Sequence, residues 1–169
     1  MAIRQAEIQQ YSNYSTFQKS SKTARIENKP TAFLSHSHKD AHLAKGVQGF
    51  LHAQGWEVYI DWEDVRMPER PNRETAERIQ AKIRELDTFL FLATANSSSS
   101  RWCPWEIGYA DGKKPIDSIL ILQTSDSSGF VYGSEYLDLY RHIDFAQGGG
   151  IGSFGFDNRG YVLRGPMRV

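Results

Sequence analysis

Only one cysteine, Cys103, occurs in the 169 residues of this chain. An internal disulfide framework is therefore excluded, and a lone thiol fits a reducing compartment. An excess of charge is also lacking. Lys+Arg and Asp+Glu both number 20, for a formal net charge of zero. DNA and anionic membranes reward a basic excess, so neither nucleic acid nor membrane is expected as a partner. Without net charge, no long-range repulsion keeps copies of the chain apart, which eases self-association. Long apolar runs are missing as well. The longest, Phe89–Ala93 and Ile119–Leu122, have the size of strands and are far too short to span a bilayer. Residues 1–22 lack the apolar core of a signal peptide, and no internal repeat is visible. What is left is the expectation of a cytoplasmic globular domain. Its 40% hydrophobic and 24% charged residues are ordinary for such a domain, and its length suffices for one core.

Three stretches differ in character. Residues 1–29 form a polar, Ser/Gln-rich arm in which Tyr11, Tyr14 and Phe17 recur at helical spacing. It reads as a mobile arm or as a short helix lying on the domain. Residues 30–145 carry a clear alternation. Thr31–Ser37 is a short apolar run ending in small polar residues, which suits a buried strand and its loop. Asp40 is placed to cap a helix whose Leu43, Val47, Phe50 and Leu51 share one face, and Gly55 stops it. Trp56–Asp61 reads as a second strand, and the loop after it contains Pro68 and Pro71. Ala76, Ile79, Ile83 and Leu86 form the stripe of a second helix. Thr88–Ala93 is a third strand, followed by a serine run and a third helix to about Asp111. Pro115–Gln123 gives a fourth strand and Leu137–Ile143 a fifth. Residues 146–169 are a Gly-rich tail, and residues 144–169 hold seven of the fourteen glycines.

Near-continuous apolar strands alternating with helices imply a parallel sheet covered on both faces. The expected fold is α/β, a flavodoxin-like three-layer sandwich with a five-stranded parallel sheet in the order 2-1-3-4-5. In that order the first and third strands are neighbours, and ligands bind at the crevice beyond their C-terminal ends. The loop Ser35–Lys39 and the loop Thr94–Trp102 should then face each other across one cleft.

The most informative stretch is Ser97 to Gly108, SSSSRWCPWEIG. Pro104 fits a helix only near its start, so the third helix begins between Ser100 and Cys103. Glu106 then lies in an early turn, where the helix dipole favours an ionised carboxylate. Such a group at a cleft edge can bind two vicinal ribose hydroxyls and stabilise positive charge at the anomeric carbon. Equally, it can be a solvated Glu that merely complements the helix dipole.

This stretch resembles the third-helix motif of TIR domains, SxWCxxE in the plant immune-receptor form, with Ser100, Trp102, Cys103 and Glu106 in those places. Phe33, Leu34 and Ser35 match the family's first strand, Tyr59 to Asp61 its second, and Trp62 to Asn72 its mobile loop. The resemblance extends over roughly two-thirds of the chain, and is to stand-alone NAD-consuming members of the Thoeris antiphage-defence type. It implies an NAD+ nucleosidase or ADP-ribosyl cyclase. The nicotinamide–ribose bond would break to give ADP-ribose or a cyclic ADP-ribose isomer as an immune signal for a separate effector protein. NAD+ is then the substrate and no cofactor is required. Glu106 matches the family's essential residue, and Trp102 an aromatic of the same pocket. Ser35, His36, Ser37, Trp62 and Ser99 join Trp102 as candidate substrate-binding residues. Self-association through TIR–TIR contacts is also implied, with the mixed-charge loop after the second strand, including Arg66 and Arg70, as its candidate surface. The alternative is a non-catalytic TIR scaffold acting by association alone. Two features depart from the plant pattern: HSHKD (His36 to Asp40) replaces its basic or Arg-Gly turn, and the loop after the second strand carries two prolines.

Other motifs were weighed against this reading. His36, His38 and Asp40 resemble a zinc-hydrolase loop, but the next His is misplaced and the chain is short for that fold, so no metal is expected. Gly150 to Gly155 spells GxGxxG, yet too little chain follows for the strand–turn–helix unit the motif needs. Cys103 is read as packing rather than as a nucleophile, and Trp56 and Trp105 as core or interface.

Overall fold

The computed structural model describes residues 2–13, 28–64, 66–68, 70–145, 151–154 and 160–163. Two short elements come first, β1 (Ile3–Arg4) and α1 (Gln5–Gln9). From Thr31 strands and helices alternate: β2 (Thr31–Ser35), α2 (Ala41–Ala53), β3 (Glu57–Tyr59), α3 (Arg73–Glu85), β4 (Thr88–Ala93). The short α4 (Ala95–Ser98), α5 (Cys103–Asp111) and β5 (Ile119–Ser125) follow. The remaining strands are β6 (Val131–Tyr132), β7 (Arg141–Phe145), β8 (Ile151–Phe154) and β9 (Gly160–Leu163).

Strands β3, β2, β4, β5 and β7 lie side by side in that order, all parallel. Counted from Thr31 this is the expected flavodoxin-like order 2-1-3-4-5. Its central strands β2, β4 and β5 are largely apolar because both faces are covered. Alternate residues feed two cores. Leu34, Leu90, Leu92, Leu120 and Leu122 join Leu43, Val47 and Leu51 of α2 and the buried Trp56. Phe33, Phe89, Phe91, Ile119 and Ile121 join Ile79 and Ile83 of α3 and Cys103, Ile107 and Ala110 of α5.

The helix ends follow local chemistry. Gly55, at φ +87, closes α2: its N–H donates to the His52 carbonyl and that of Trp56 to the Leu51 carbonyl. This is a Schellman end, in which a left-handed residue satisfies the free carbonyls. Asn72 and Thr75 cap α3 reciprocally. Asp40 occupies the cap position of α2, but its side chain makes no bond to that helix, contrary to the expectation.

Two further features differ from the sequence reading, and the N-terminal arm follows one of its two readings, a short helix lying on the domain. The segment expected as one strand, Leu137–Ile143, splits into a 3-10 turn (Glu135–Leu139) and β7. The turn-rich tail contains β8 and β9, which extend the sheet antiparallel from β7. Residues 151–154 of the GxGxxG run are thus a strand, whereas a dinucleotide turn needs a helix N-terminus; Gly150 and Gly155 lie outside the described residues. At the other end, β1 pairs with β5 (Ile3 opposite Thr124), Ile8 is buried, and the Tyr11 ring meets Phe50 at 5.2 Å. Helix α1 lies so close on α2 that a Cβ at Gly46 would fall 2.3 Å from the Ile8 carbonyl oxygen. Tyr14 and Phe17 lie outside the described residues.

Candidate active site

Because β2 and β4 are neighbours, the loops that leave their C-terminal ends meet. Asp40 accepts hydrogen bonds from the Thr94 hydroxyl at 2.5 Å and from the Asn96 side-chain amide at 2.6 Å. Next to this junction, the Ser35 hydroxyl donates to Glu106 Oε2 at 2.5 Å. The two loops expected to face each other therefore meet at one site beyond the ends of β2 and β4.

Glu106 reaches it through the start of α5. Trp102 is the cap residue and Pro104 sits in the first turn, where a missing N–H costs nothing. The Glu106 N–H closes that turn on the Trp102 carbonyl at 2.8 Å. Its side chain is only 4% exposed, which changes its protonation from what the helix dipole alone suggested. Burial pushes the carboxyl up to about 8, Asp61 adds to the rise, and the Ser35 hydrogen bond opposes it. Desolvation outweighs both the dipole and one hydrogen bond.

His36 follows Ser35 directly after β2. Its Nδ1 lies 2.9 Å from the Leu34 carbonyl oxygen, which can only accept, so Nδ1 carries the hydrogen. Burial holds its pKa below the ordinary 6.5. Nε2 is buried without a hydrogen-bond partner, 3.8 Å from Asp61 Oδ1. The Trp62 ring meets the imidazole edge to face at 4.6 Å, and the Trp62 N–H donates to Asp61 Oδ1.

Ser35 and Glu106 thus come together, and Asp61, which acts on both Glu106 and His36, relates them to the His36–Trp62 pair. Trp102 is half-buried at the head of the Glu106 helix, its ring 5.4 Å from that of Trp105. The two other serine candidates bond within their own turns. The Ser37 hydroxyl accepts from the Lys39 N–H, and Ser99 donates to the Ala95 and Asn96 carbonyls of its own turn. Trp105 is 37% exposed, so it is not a core residue. Cys103 is fully buried and its thiol is raised to about 11, the state of a packing residue rather than a nucleophile. Among the described residues no cluster of His, Cys, Asp and Glu is arranged to hold a metal ion, and no helix is long and apolar enough to cross a membrane.

The loop after β3 is tied to its own chain. Glu63 accepts from Lys45 and Gln48 of α2. Asp64 takes the Tyr59 hydroxyl and a two-pronged bond from Arg66, which holds its carboxyl down at about 2. Arg66, expected to reach a second copy, thus pairs within the chain. Asp61 was absent from the sequence-based candidates. The clue was the strand register: Phe33 faces Tyr59, and Ser35 and Asp61 each lie two residues further on, at the same sheet edge.

These features define a TIR fold: the parallel sheet in this order, the meeting of the loops beyond its first and third strands, and a glutamate at the start of the helix beside them. The sequence model of the TIR domain matches residues 32–150, and the chain belongs to that family. It is also similar to a protein of Bacillus cereus (strain MSX-D12) named probable 3' cyclic ADP-D-ribose synthase ThsB', with 34% identity over 113 residues. The match covers 66% of this chain and 58% of that protein's length.

Proposed function

We propose that this protein cleaves the nicotinamide–ribose bond of NAD+, with Glu106 as its essential carboxylate. The observation that carries this reading is a buried carboxyl, bonded to Ser35 and raised to about 8, beyond the ends of the first and third strands of the TIR sheet. The name of the Bacillus cereus relative supports it and favours a cyclic ADP-ribose isomer as product. The proposal includes that this product serves as an immune signal read by a separate effector protein.

The chemistry asks little of the protein. Nicotinamide departs with the electron pair of the C–N bond, and its ring charge is neutralised as it leaves, so no general acid is required. The ribosyl cation left behind is stabilised by an ionised Glu106 in a site from which water is excluded. Cationic substrate favours that ionised state by the same attraction. A hydroxyl of the ADP-ribosyl fragment, or water, then bonds to the anomeric carbon, and Glu106 takes its proton. Closure on an internal hydroxyl gives the cyclic product; attack by water gives ADP-ribose.

Self-association belongs to the same reading, because the zero net charge sets no barrier to it. The experiment is mass spectrometry of NAD+ incubated with purified protein across a dilution series, with light scattering alongside. Release of nicotinamide by wild type and none by Glu106→Gln is expected, with specific activity rising on association. No nicotinamide at any concentration would leave a scaffold that acts by association alone.

A further inference from the structure

A carboxylate at the head of a helix ordinarily accepts from the first amides of that helix. Asp40 does not. Its Oδ2 accepts from the Thr94 hydroxyl at 2.5 Å and its Oδ1 from the Asn96 amide at 2.6 Å, residues 54 and 56 positions away. Both partners are fixed in turn. Thr94 is buried and exchanges hydrogen bonds with Ser97, whose N–H donates to the Thr94 hydroxyl while the Thr94 N–H donates to Ser97 Oγ. One residue earlier, the Ala93 carbonyl accepts from the Thr124 hydroxyl, itself the acceptor of the Gln5 amide. On the far side α4 runs into Ser100, whose hydroxyl accepts from the N–H groups of Trp102 and Cys103 at the head of α5. Movement at Thr94–Asn96 is therefore passed to Glu106 through a short, hydrogen-bonded segment.

We propose that Asp40 is the positioning residue of this site: its carboxylate clamps the loop after β2 to α4 and thereby sets the Ser35–Glu106 contact. The inference rests on Glu106 being the reactive group of the proposed function. Both bonds are charge-assisted, and such bonds are roughly twice as strong as neutral ones. Asp40 acts through Thr94 and Asn96 and takes no proton in the reaction. The site then depends on the presence of one donor and one acceptor across the Asp40–Asn96 bridge, not on which residue supplies which.

A swap tests this. Asn96→Asp sets two carboxylates against each other. Adding Asp40→Asn rebuilds the bridge with the roles exchanged: the new amide donates to residue 96, and its oxygen still accepts from Thr94. Asn96→Asp is expected to lower kcat for NAD+ about tenfold or more, with KM changing less than about threefold, because the reacting groups are misplaced while binding surfaces remain. The double variant recovers most of that loss. Amide hydrogen exchange over residues 94–100 should rise in Asn96→Asp and fall again in the double variant. Asn96→Ala, which adds no charge, gives the same direction at smaller amplitude and serves if Asn96→Asp does not fold. Wild-type kcat in both single variants, or a folded double variant as slow as Asn96→Asp, overturns the proposal. If wild type itself releases no nicotinamide, the functional reading falls, and the exchange measurements still decide the clamp: unchanged exchange refutes it.

Discussion

Glu106→Gln preserves the shape of the side chain, keeps an acceptor for Ser35 and removes one titration. In the folded protein Glu106 holds its proton up to about 8, against an ordinary 4.5. Between those two pH values the native state binds a proton that the unfolded chain has released, so stability falls as pH rises. The contribution is fully present below about 4.5 and lost as pH climbs through about 8. At about 1.4 kcal/mol per pH unit, the whole interval is worth on the order of 3–5 kcal/mol. That is a large share of a domain stability of about 5–15 kcal/mol. The glutamine variant has no such loss. Urea unfolding of both proteins at intervals from about pH 6 to pH 9 should show wild type losing about 2–3 kcal/mol that the variant keeps. The variant is then the more stable protein at pH 8 and the inactive one, as expected where a site is built at the expense of stability. The difference between the two curves isolates Glu106 from every other titrating group. A difference that stays flat with pH to within about 0.5 kcal/mol would refute a strongly raised carboxyl, and with it the argument from burial.

The remaining predictions follow from the same structure. For the proposed reaction, kcat/KM rises with pH to a plateau with its midpoint near 8, since the free enzyme must present the ionised carboxylate; a flat profile from pH 6 to pH 9 would remove Glu106 from the chemistry. Ser35→Ala deletes the hydrogen bond that favours the charged form, so this midpoint moves further up and activity at neutral pH drops; a downward move would show that the bond favours the protonated form. Gly46→Ala forces a Cβ against the Ile8 carbonyl and should cost about 1–3 kcal/mol, with faster proteolysis near residues 2–13 as the measurement. Cys103 should resist a thiol reagent at pH 8 in the folded protein and react at once in denaturant, because burial raises its thiol to about 11.

Much of this protein is legible in its sequence because its regularities are local. Two apolar periods, Gly55 after α2 and Pro104 near the head of α5 are set by steric rules within a few residues. They are enough to give five parallel strands, their order and the placing of Glu106 in the first turn of α5. The resemblance of SRWCPWE to a known motif added the chemistry, which periodicity cannot supply. Other features were decided only when distant segments met. The helix dipole is a local effect and argued for an ionised Glu106, but the fold buries that side chain beside Ser35 and near Asp61, which reverses that conclusion. Asp40 sits where a cap belongs, and nothing nearby in sequence reveals that residues 54 and 56 positions away outcompete its own helix for the carboxylate. Ser37 and Ser99 are polar residues in the right loops, yet turn geometry spends their hydroxyls on neighbouring backbone. Strands β8 and β9 escaped notice because glycine-rich sequence has weak strand preference and is recruited here by the open edge of β7. Local sequence therefore settles the parallel core strands and the helices between them, while the added edge strands, protonation and the pairing of polar side chains follow from the dielectric and the partners that tertiary packing creates.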